Sequence, residues 1–229
     1  MADRDRVPRI YVLAGTNGAG KSSIGGAGFR THGVDFLDPD QEARRIRAAN
    51  PTIDPDEANS LAWQQVKRLL ERAIAERLDI AFETTLGGRT IPTLLRKAAS
   101  LGCEVHIWYA GLSTPDLHIA RVRARVAKGG HDVPEHVVRA RYHASRLHLI
   151  DLLPHLTELR VYDNTAQADP GAGLEPQPVL VLHMAYGKIV GGCRLGATPA
   201  WAKPILTAAI NVHSVGKTGR RSARKPPKR

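Results

Sequence analysis

The chain has 229 residues, of which 42% are hydrophobic and 24% charged, a balance typical of a folded globular protein and unlike that of a disordered one. Its two cysteines, Cys103 and Cys193, are too few and too far apart for a disulfide framework or a zinc-binding spacing, and they favour a reducing cytoplasm. The formal net charge is +11, but seven basic residues follow Gly216, which leaves the rest of the chain near +4.

Segments that would direct the chain to or through a membrane are not predicted. The first ten residues, MADRDRVPRI, mix acids with bases and lack the apolar run of a signal peptide. No apolar stretch approaches the roughly 18 residues that a transmembrane helix needs.

The first predicted element is a strand at residues 10–13, and a glycine-rich motif follows it directly. Gly15, Gly20, Lys21 and Ser22 match the pattern G-x-x-x-x-G-K-[ST] of a P-loop, in the strand-to-helix context that this motif requires. Its glycines let consecutive main-chain amides face phosphates without steric hindrance. The motif therefore predicts a nucleotide site made of eight residues: Gly15, Asn17, Gly18, Ala19, Gly20, Lys21, Ser22 and Ser23.

Two residues of this motif have specific predicted roles. Lys21 supplies a point charge for the β and γ phosphates, and the Ser22 hydroxyl is placed to bind Mg²⁺. The helix after the motif is expected to be short or to depend on tertiary support, because Gly25, Gly26 and Gly28 are poor helix formers.

A second strand is predicted at residues 34–37, and it ends at Asp38-Pro39-Asp40. Carboxylates at the carboxyl end of a strand beside the P-loop can accept a proton from a hydroxyl or orient Mg²⁺. Alternatively, Asp38 or Asp40 caps the helix that follows. One residue can do both.

A long amphipathic helix is predicted next, with Asp54 as its N-cap and Pro55 in its first turn. A short buried strand at residues 80–82 follows and ends at Glu83, with the hydroxyls of Thr84 and Thr85 behind it. Glu83 is a candidate to bind substrate or to act as the acid of an ATPase strand on the Mg²⁺ side; a structural cap is the alternative. The three tryptophans are interpreted as packing residues.

The rest of the first 166 residues continues the alternation of helices and strands. Helices are predicted at 90–102, at 114–128 and from 133, and strands at 103–111 and 160–165. This alternation predicts an α/β fold of the P-loop NTPase type, with a parallel sheet flanked by helices.

The segment 121–142 is rich in arginine around a Gly-Gly hinge. Arginines that close over a site can stabilise the negative charge that spreads over a transferring phosphoryl group, whereas others on the same helices are solvated. The basic residues of this candidate lid are Arg121, Arg123, Arg125, Lys128, Arg139 and Arg141.

The C-terminal part is predicted to be a small appendage. Residues 168–178 have the composition of a linker, a hairpin is expected across Ala185-Tyr186-Gly187, and a short helix is expected near 199–211. The predicted organisation is a core at 1–166, an appendage at 167–213 and a disordered basic tail at 214–229. That tail either holds polyanions such as nucleic acid weakly or is solvated and has no specific partner.

Five stretches together resemble the zeta-toxin family of P-loop kinases, including its chromosomal relatives described as predicted ATPases. They are GTNGAGKS, FLDPDQEA, FETTLGG, GGHDVPE and RVYDN, and the resemblance covers about residues 8–165. It implies a kinase that uses ATP and Mg²⁺ to phosphorylate a sugar hydroxyl of UDP-N-acetylglucosamine and that a paired antitoxin blocks.

The resemblance also implies roles for single residues. Asp40 holds the place of the catalytic base, Glu83 and Thr85 match the substrate-binding Glu-x-Thr, and Arg125 matches the first lid arginine. The second arginine position falls on His131, and Arg139 or Arg141 is expected to replace it. His131 itself is expected to bind a phosphate or to cap the lid turn. The competing functional hypothesis is an ATPase or nucleotide switch that acts on a partner protein or nucleic acid.

Overall fold

The computed structural model describes residues 6–25, 36–166 and 177–222. The strands are β1 (Arg9–Ala14), β2 (Phe36–Leu37), β3 (Ile80–Thr84), β4 (Glu104–Gly111), β5 (Glu158–Asp163), β6 (Val179–Ala185) and β7 (Lys188–Gly192). The helices are α1 (Lys21–Gly25), α2 (Pro39–Ala49), α3 (Pro55–Glu76), α4 (Thr90–Ser100), α5 (Pro115–Val126), α6 (Glu135–Leu152) and α7 (Lys203–Ser222). No helix among these described residues is long and apolar enough to cross a membrane.

The strands form one seven-stranded sheet in the order β2-β3-β1-β4-β5-β6-β7. Strands β2, β3, β1, β4 and β5 are parallel, which confirms the predicted α/β fold. β1 lies inside the sheet, between β3 and β4. Leu13 of β1 lies beside Glu83 of β3, and Ala14 lies beside Thr84. The register therefore brings the start of the P-loop next to the Glu-Thr pair at the carboxyl edge of the sheet.

The long helix α3 begins as predicted. The Asp54 side chain accepts hydrogen bonds from the main-chain amides of Asp56 and Glu57, and Pro55 occupies the first turn. Its buried stripe, which includes Val66 and Leu70, packs into the main core against β1, β3 and β4. Burial of this stripe fixes the rotation of α3 about its axis, and therefore which of its side chains can face the carboxyl edge of the sheet.

The C-terminal hairpin is confirmed, and it extends the sheet rather than standing apart from it. β6 pairs antiparallel with β5 and then with β7, and Tyr186 and Gly187 form the turn with positive φ angles of 50° and 70°. Trp201 and Ile205 pack into the same core as β1. The burial of these two side chains ties the hairpin and α7 to the main domain.

The predicted boundaries near the C-terminus differ from the structure, and several predicted segments lie outside its described residues. α7 runs to Ser222, well beyond the short helix expected at 199–211 and past the boundary expected at residue 214 for a disordered tail. Gly26, Gly28, Val34 and most of the linker expected at 168–178 lie outside the described residues, as does the chain after Ser222. α1 is indeed short, with five residues.

The contact between Gly111 at the end of β4 and Trp201 makes a test of the C-terminal packing. A Cβ atom at position 111 would lie 2.2 Å from the Cη2 atom of the Trp201 indole. Gly111→Ala is therefore expected to lower the free energy of unfolding by about 1–3 kcal/mol, the usual cost of overpacking, as measured by urea denaturation. The matched control, Gly196→Ala, adds its Cβ to open space and should change it by less than about 0.5 kcal/mol. Wild-type stability of Gly111→Ala would show that the indole moves aside freely.

Candidate active site

The P-loop has a backbone conformation that favours glycine at three of its positions, Gly15, Gly18 and Gly20. Gly15 has φ +143°, and a Cβ there would lie 2.3 Å from the Ala110 carbonyl oxygen on β4. Gly18 has φ +78°, and a Cβ there would lie 2.4 Å from the His118 carbonyl oxygen on α5. The loop is thus pressed between the sheet and α5, which is the physical reason for these glycines.

A cavity of about 350 Å³ lies beside the P-loop at the carboxyl edge of the sheet. It brings together predicted site residues from six separate stretches of the chain. Those in its lining are Asn17, Lys21, Asp40, Glu83, Thr85, Arg125, His131 and Arg141. Some residues of each predicted set, for the nucleotide, the base, the acceptor and the lid, therefore line one cavity, whose volume falls within the range of small-molecule sites.

Lys21 is buried and holds two partners at the floor of this cavity. Its ammonium donates to the Gly15 carbonyl oxygen at 2.8 Å and lies 3.3 Å from a carboxylate oxygen of Glu83. Burial raises the pKa of Glu83, as do the carboxylates of Asp38 and Asp40 to a smaller degree, while Lys21 opposes the shift. The proton affinity of Glu83 therefore depends on its charged neighbours. The alternative, that Glu83 caps the next helix, is not supported, because the N-cap residue of α4 among the described residues is Arg89.

The two aspartates after β2 have different positions. Asp38 is the N-cap of α2 and accepts from the Asp40 amide at 2.9 Å, whereas Asp40 lines the cavity. An Asp40 carboxylate oxygen lies 3.2 Å from Arg125, whose other terminal nitrogen donates to the His131 carbonyl oxygen at 2.8 Å. Arg125 therefore links the candidate base to the loop between α5 and α6.

Of the two arginines expected to replace the second lid arginine, Arg141 lines the cavity. It donates to the Asn17 side-chain oxygen at 2.9 Å, and burial lowers its pKa while Asp40 opposes that shift. Arg139 instead pairs with Asp116 near the surface, and the exposed Arg123 pairs with Glu135. Arg139 and Arg123 are therefore among the solvated arginines that were expected in the segment 121–142.

Two cavity residues on α3 were not predicted. Asn59 and Trp63, one helical turn apart, face the cavity together with Val66, and the Asn59 amide nitrogen lies 3.3 Å from Nε2 of His131. Trp63 is 43% exposed, so its interpretation as a packing residue is wrong. The i, i+4, i+7 spacing of Asn59, Trp63 and Val66 indicates that they share one helix face. Side chains that pack into a core have the same spacing, so the sequence did not identify these residues as part of a site.

His118 was also not predicted, although it is 1% exposed and touches the P-loop. Its Nδ1 lies 2.8 Å from the Asn17 carbonyl oxygen, and its ring meets the Tyr142 ring edge-on at 5.5 Å. Burial lowers its pKa from 6.5 to about 4. The sequence around His118 matches no metal or catalytic motif and offers no signal of such a position.

This buried histidine predicts a pH dependence of stability. Because the unfolded chain takes up a proton on His118 near pH 6.5 and the folded chain only near about 4, the contribution is fully present above pH 6.5 and is lost as pH falls towards 4. The loss is on the order of 3 kcal/mol from the linkage relation. Urea denaturation between pH 7.5 and 4 should show a shallower decline for His118→Asn than for wild type; parallel curves would contradict this.

The Ser22 hydroxyl, the candidate Mg²⁺ ligand, lies on an exposed residue in the first turn of α1. No cluster of three or more His, Cys, Asp or Glu side chains in the described ranges could hold a metal by itself. A single hydroxyl beside a P-loop lysine fits Mg²⁺, which is often held by few protein oxygens together with substrate phosphates.

Comparison with known proteins shows the family and the fold of this chain. A family model described as an AAA domain matches residues 10–146. An uncharacterized protein of Haemophilus influenzae is 33% identical over 135 residues, which are 58% of this chain and 92% of the relative.

Two solved structures extend the comparison of the fold. The crystal structure of AvrRxo1-ORF1:-ORF2 with ATP has a TM-score of 0.62 at 15% identity, over 90% of this chain and 64% of that one. A structure of the PezAT chromosomal toxin-antitoxin system of Streptococcus pneumoniae has a TM-score of 0.48 at 15% identity, over 69% of each chain. The first of these likenesses shows a shared α/β fold.

Proposed function

Because this chain belongs to the AAA_33 family of AAA domains, we propose that its cavity is the active site of an ATP- and Mg²⁺-dependent small-molecule kinase. One observation carries the proposal: a P-loop lysine, a carboxylate and two arginines open on the same cavity. An ATPase also needs the lysine, but the Asp40 carboxylate in the same cavity lining suits the deprotonation of a second substrate.

In this mechanism each charged residue has one task. The P-loop amides and Lys21 bind the phosphates, and Arg125 and Arg141 stabilise the charge of the transferring phosphoryl group. Asp40 accepts the proton of the acceptor hydroxyl while that oxygen bonds to the γ-phosphorus and the bond from phosphorus to ADP breaks. The Arg125 guanidinium lies 3.2 Å from this carboxylate and holds it in the cavity lining.

The Mg²⁺ ion would be held by Ser22 and by the nucleotide phosphates. When bound it would neutralise charge on the phosphate oxygens. The remaining nucleotide contacts would come from the main chain of Gly15, Gly18, Ala19, Gly20 and Ser23.

In this proposal the acceptor is bound by Glu83, Thr85 and His131, which line the same cavity. The resemblance of FETTLGG and GGHDVPE to zeta toxins supports a sugar nucleotide as acceptor, UDP-N-acetylglucosamine being the first to test. The same resemblance supports an antitoxin as a protein partner and the cytoplasm as the place of action.

The test is to incubate the protein with ATP labelled on its γ-phosphate and a panel of UDP-sugars and small metabolites. Label transfer that depends on an acceptor supports the kinase. Steady hydrolysis without any acceptor, lost in Glu83→Gln, would instead support the ATPase or nucleotide switch.

A further inference from the structure

The P-loop residue Asn17 is held by α5 and by α6 at two different groups. His118 of α5 meets its carbonyl oxygen at 2.8 Å, and Arg141 of α6 donates to its side-chain oxygen at 2.9 Å. A carbonyl oxygen only accepts, so Nδ1 of His118 carries the proton in this contact. The tautomer of a fully buried imidazole is therefore set by the phosphate loop.

The contact is part of a wider junction between the loop and the two helices. The backbone of His118 presses on Gly18, where a Cβ would lie 2.4 Å from the His118 carbonyl oxygen. The Tyr142 ring next to His118 anchors α6, because its hydroxyl donates to the Ser113 carbonyl oxygen at 2.9 Å. Movement of the imidazole would therefore displace the loop amides. It would also displace Tyr142 and, with it, the adjacent residue Arg141.

We propose that His118 is a positioning residue for phosphoryl transfer. Its Nδ1–H fixes the Asn17 peptide, which orients the amides of the phosphate loop and, through the Asn17 side chain, Arg141. This role rests on the proposed function, since it presumes that the loop binds a polyphosphate. It assigns to α5 a control over nucleotide affinity that no residue of the P-loop motif accounts for.

The chain offers a matched core contact without this role. Thr198 is buried like His118, and its hydroxyl donates to the Arg194 carbonyl oxygen at 3.1 Å, away from the cavity lining. Thr198→Val therefore removes a buried hydrogen bond without removing a contact to the phosphate loop.

The experiment measures the binding of ATP and of tripolyphosphate by calorimetry, together with thermal unfolding in their absence. His118→Leu, which lacks the donor, should weaken both ligands about tenfold, whereas His118→Asn, whose amide nitrogen falls near the Nδ1 position, should bind them within about threefold of wild type. Thr198→Val should lower the melting temperature without changing either affinity.

Each other outcome decides against one statement. Equal affinities of wild type and His118→Leu overturn the positioning role, as does an equal loss of affinity in Thr198→Val. Failure of wild type to bind ATP and tripolyphosphate overturns the proposed function itself. If His118→Leu does not fold, His118→Gln replaces it, because its amide lies one bond further out; equal affinities of wild type, His118→Asn and His118→Gln then overturn the inference.

Discussion

Replacing Asp40 by asparagine is expected to lower the rate of phosphoryl transfer by about 10²–10⁴-fold, the usual contribution of a general base, while the affinity for ATP stays near that of wild type. The amide keeps the shape of the carboxylate and can still accept from Arg125 at the 3.2 Å separation seen here, but it cannot take a proton from the acceptor. Single-turnover transfer to an acceptor, with ATP binding measured separately, resolves the two effects.

A carboxylate from the same helical turn makes the control for Asp40. Glu42 also lies in the first turn of α2, but it pairs with Arg45 and does not line the cavity. Glu42→Gln should therefore transfer at the wild-type rate. Near wild-type turnover by Asp40→Asn would mean that another group, or no group, accepts the proton.

Replacing Lys21 by methionine is expected to reduce kcat/KM for ATP by about 10³-fold. Among the described residues that line the cavity, Lys21 is the one lysine. Removal of a single preorganised charge at a transition state costs about 10²–10³-fold in rate before any loss in binding. Steady-state kinetics over a range of ATP concentrations measures the change, and an unchanged kcat/KM would remove the P-loop lysine from the mechanism.

The loss of Lys21 also leaves Glu83 without the cation 3.3 Å away that opposes the rise of its pKa. The double variant Lys21→Met/Glu83→Gln removes this stranded carboxylate, so it should recover folding stability but not activity. Lys67→Met, which breaks an exposed pair with Glu71 on α3, should leave both quantities close to wild type.

The sequence predicted the parts of this protein that depend on neighbours in the chain. The strand-to-loop pattern at residues 10–22, the Asp54 cap of α3 and the Tyr186-Gly187 turn all follow from local backbone preferences, and the structure has each of them. A P-loop is likewise a local arrangement, because its glycines and its lysine lie within eight residues of one another.

Local preference does not decide which distant residues meet. Local sequence left open whether Asp38 or Asp40 caps the next helix, and the start of α2 makes Asp38 the cap and Asp40 a residue of the cavity lining. Arg139 and Arg141 lie two residues apart, about 200° around a helix, so one reaches Asp116 and the other reaches Asn17.

The contacts of Trp63 and His118 depend on how α3 and α5 pack against the P-loop. Both have ordinary sequence neighbourhoods, and their positions follow from burial of the helix faces beside them. The sequence by itself therefore determined the phosphate loop, because its residues are neighbours in the chain, and the class of fold, because strand and helix patterns alternate along the chain. The tertiary structure alone decided the composition of the cavity, since side chains from six stretches converge there only when the parallel strands align their carboxyl ends.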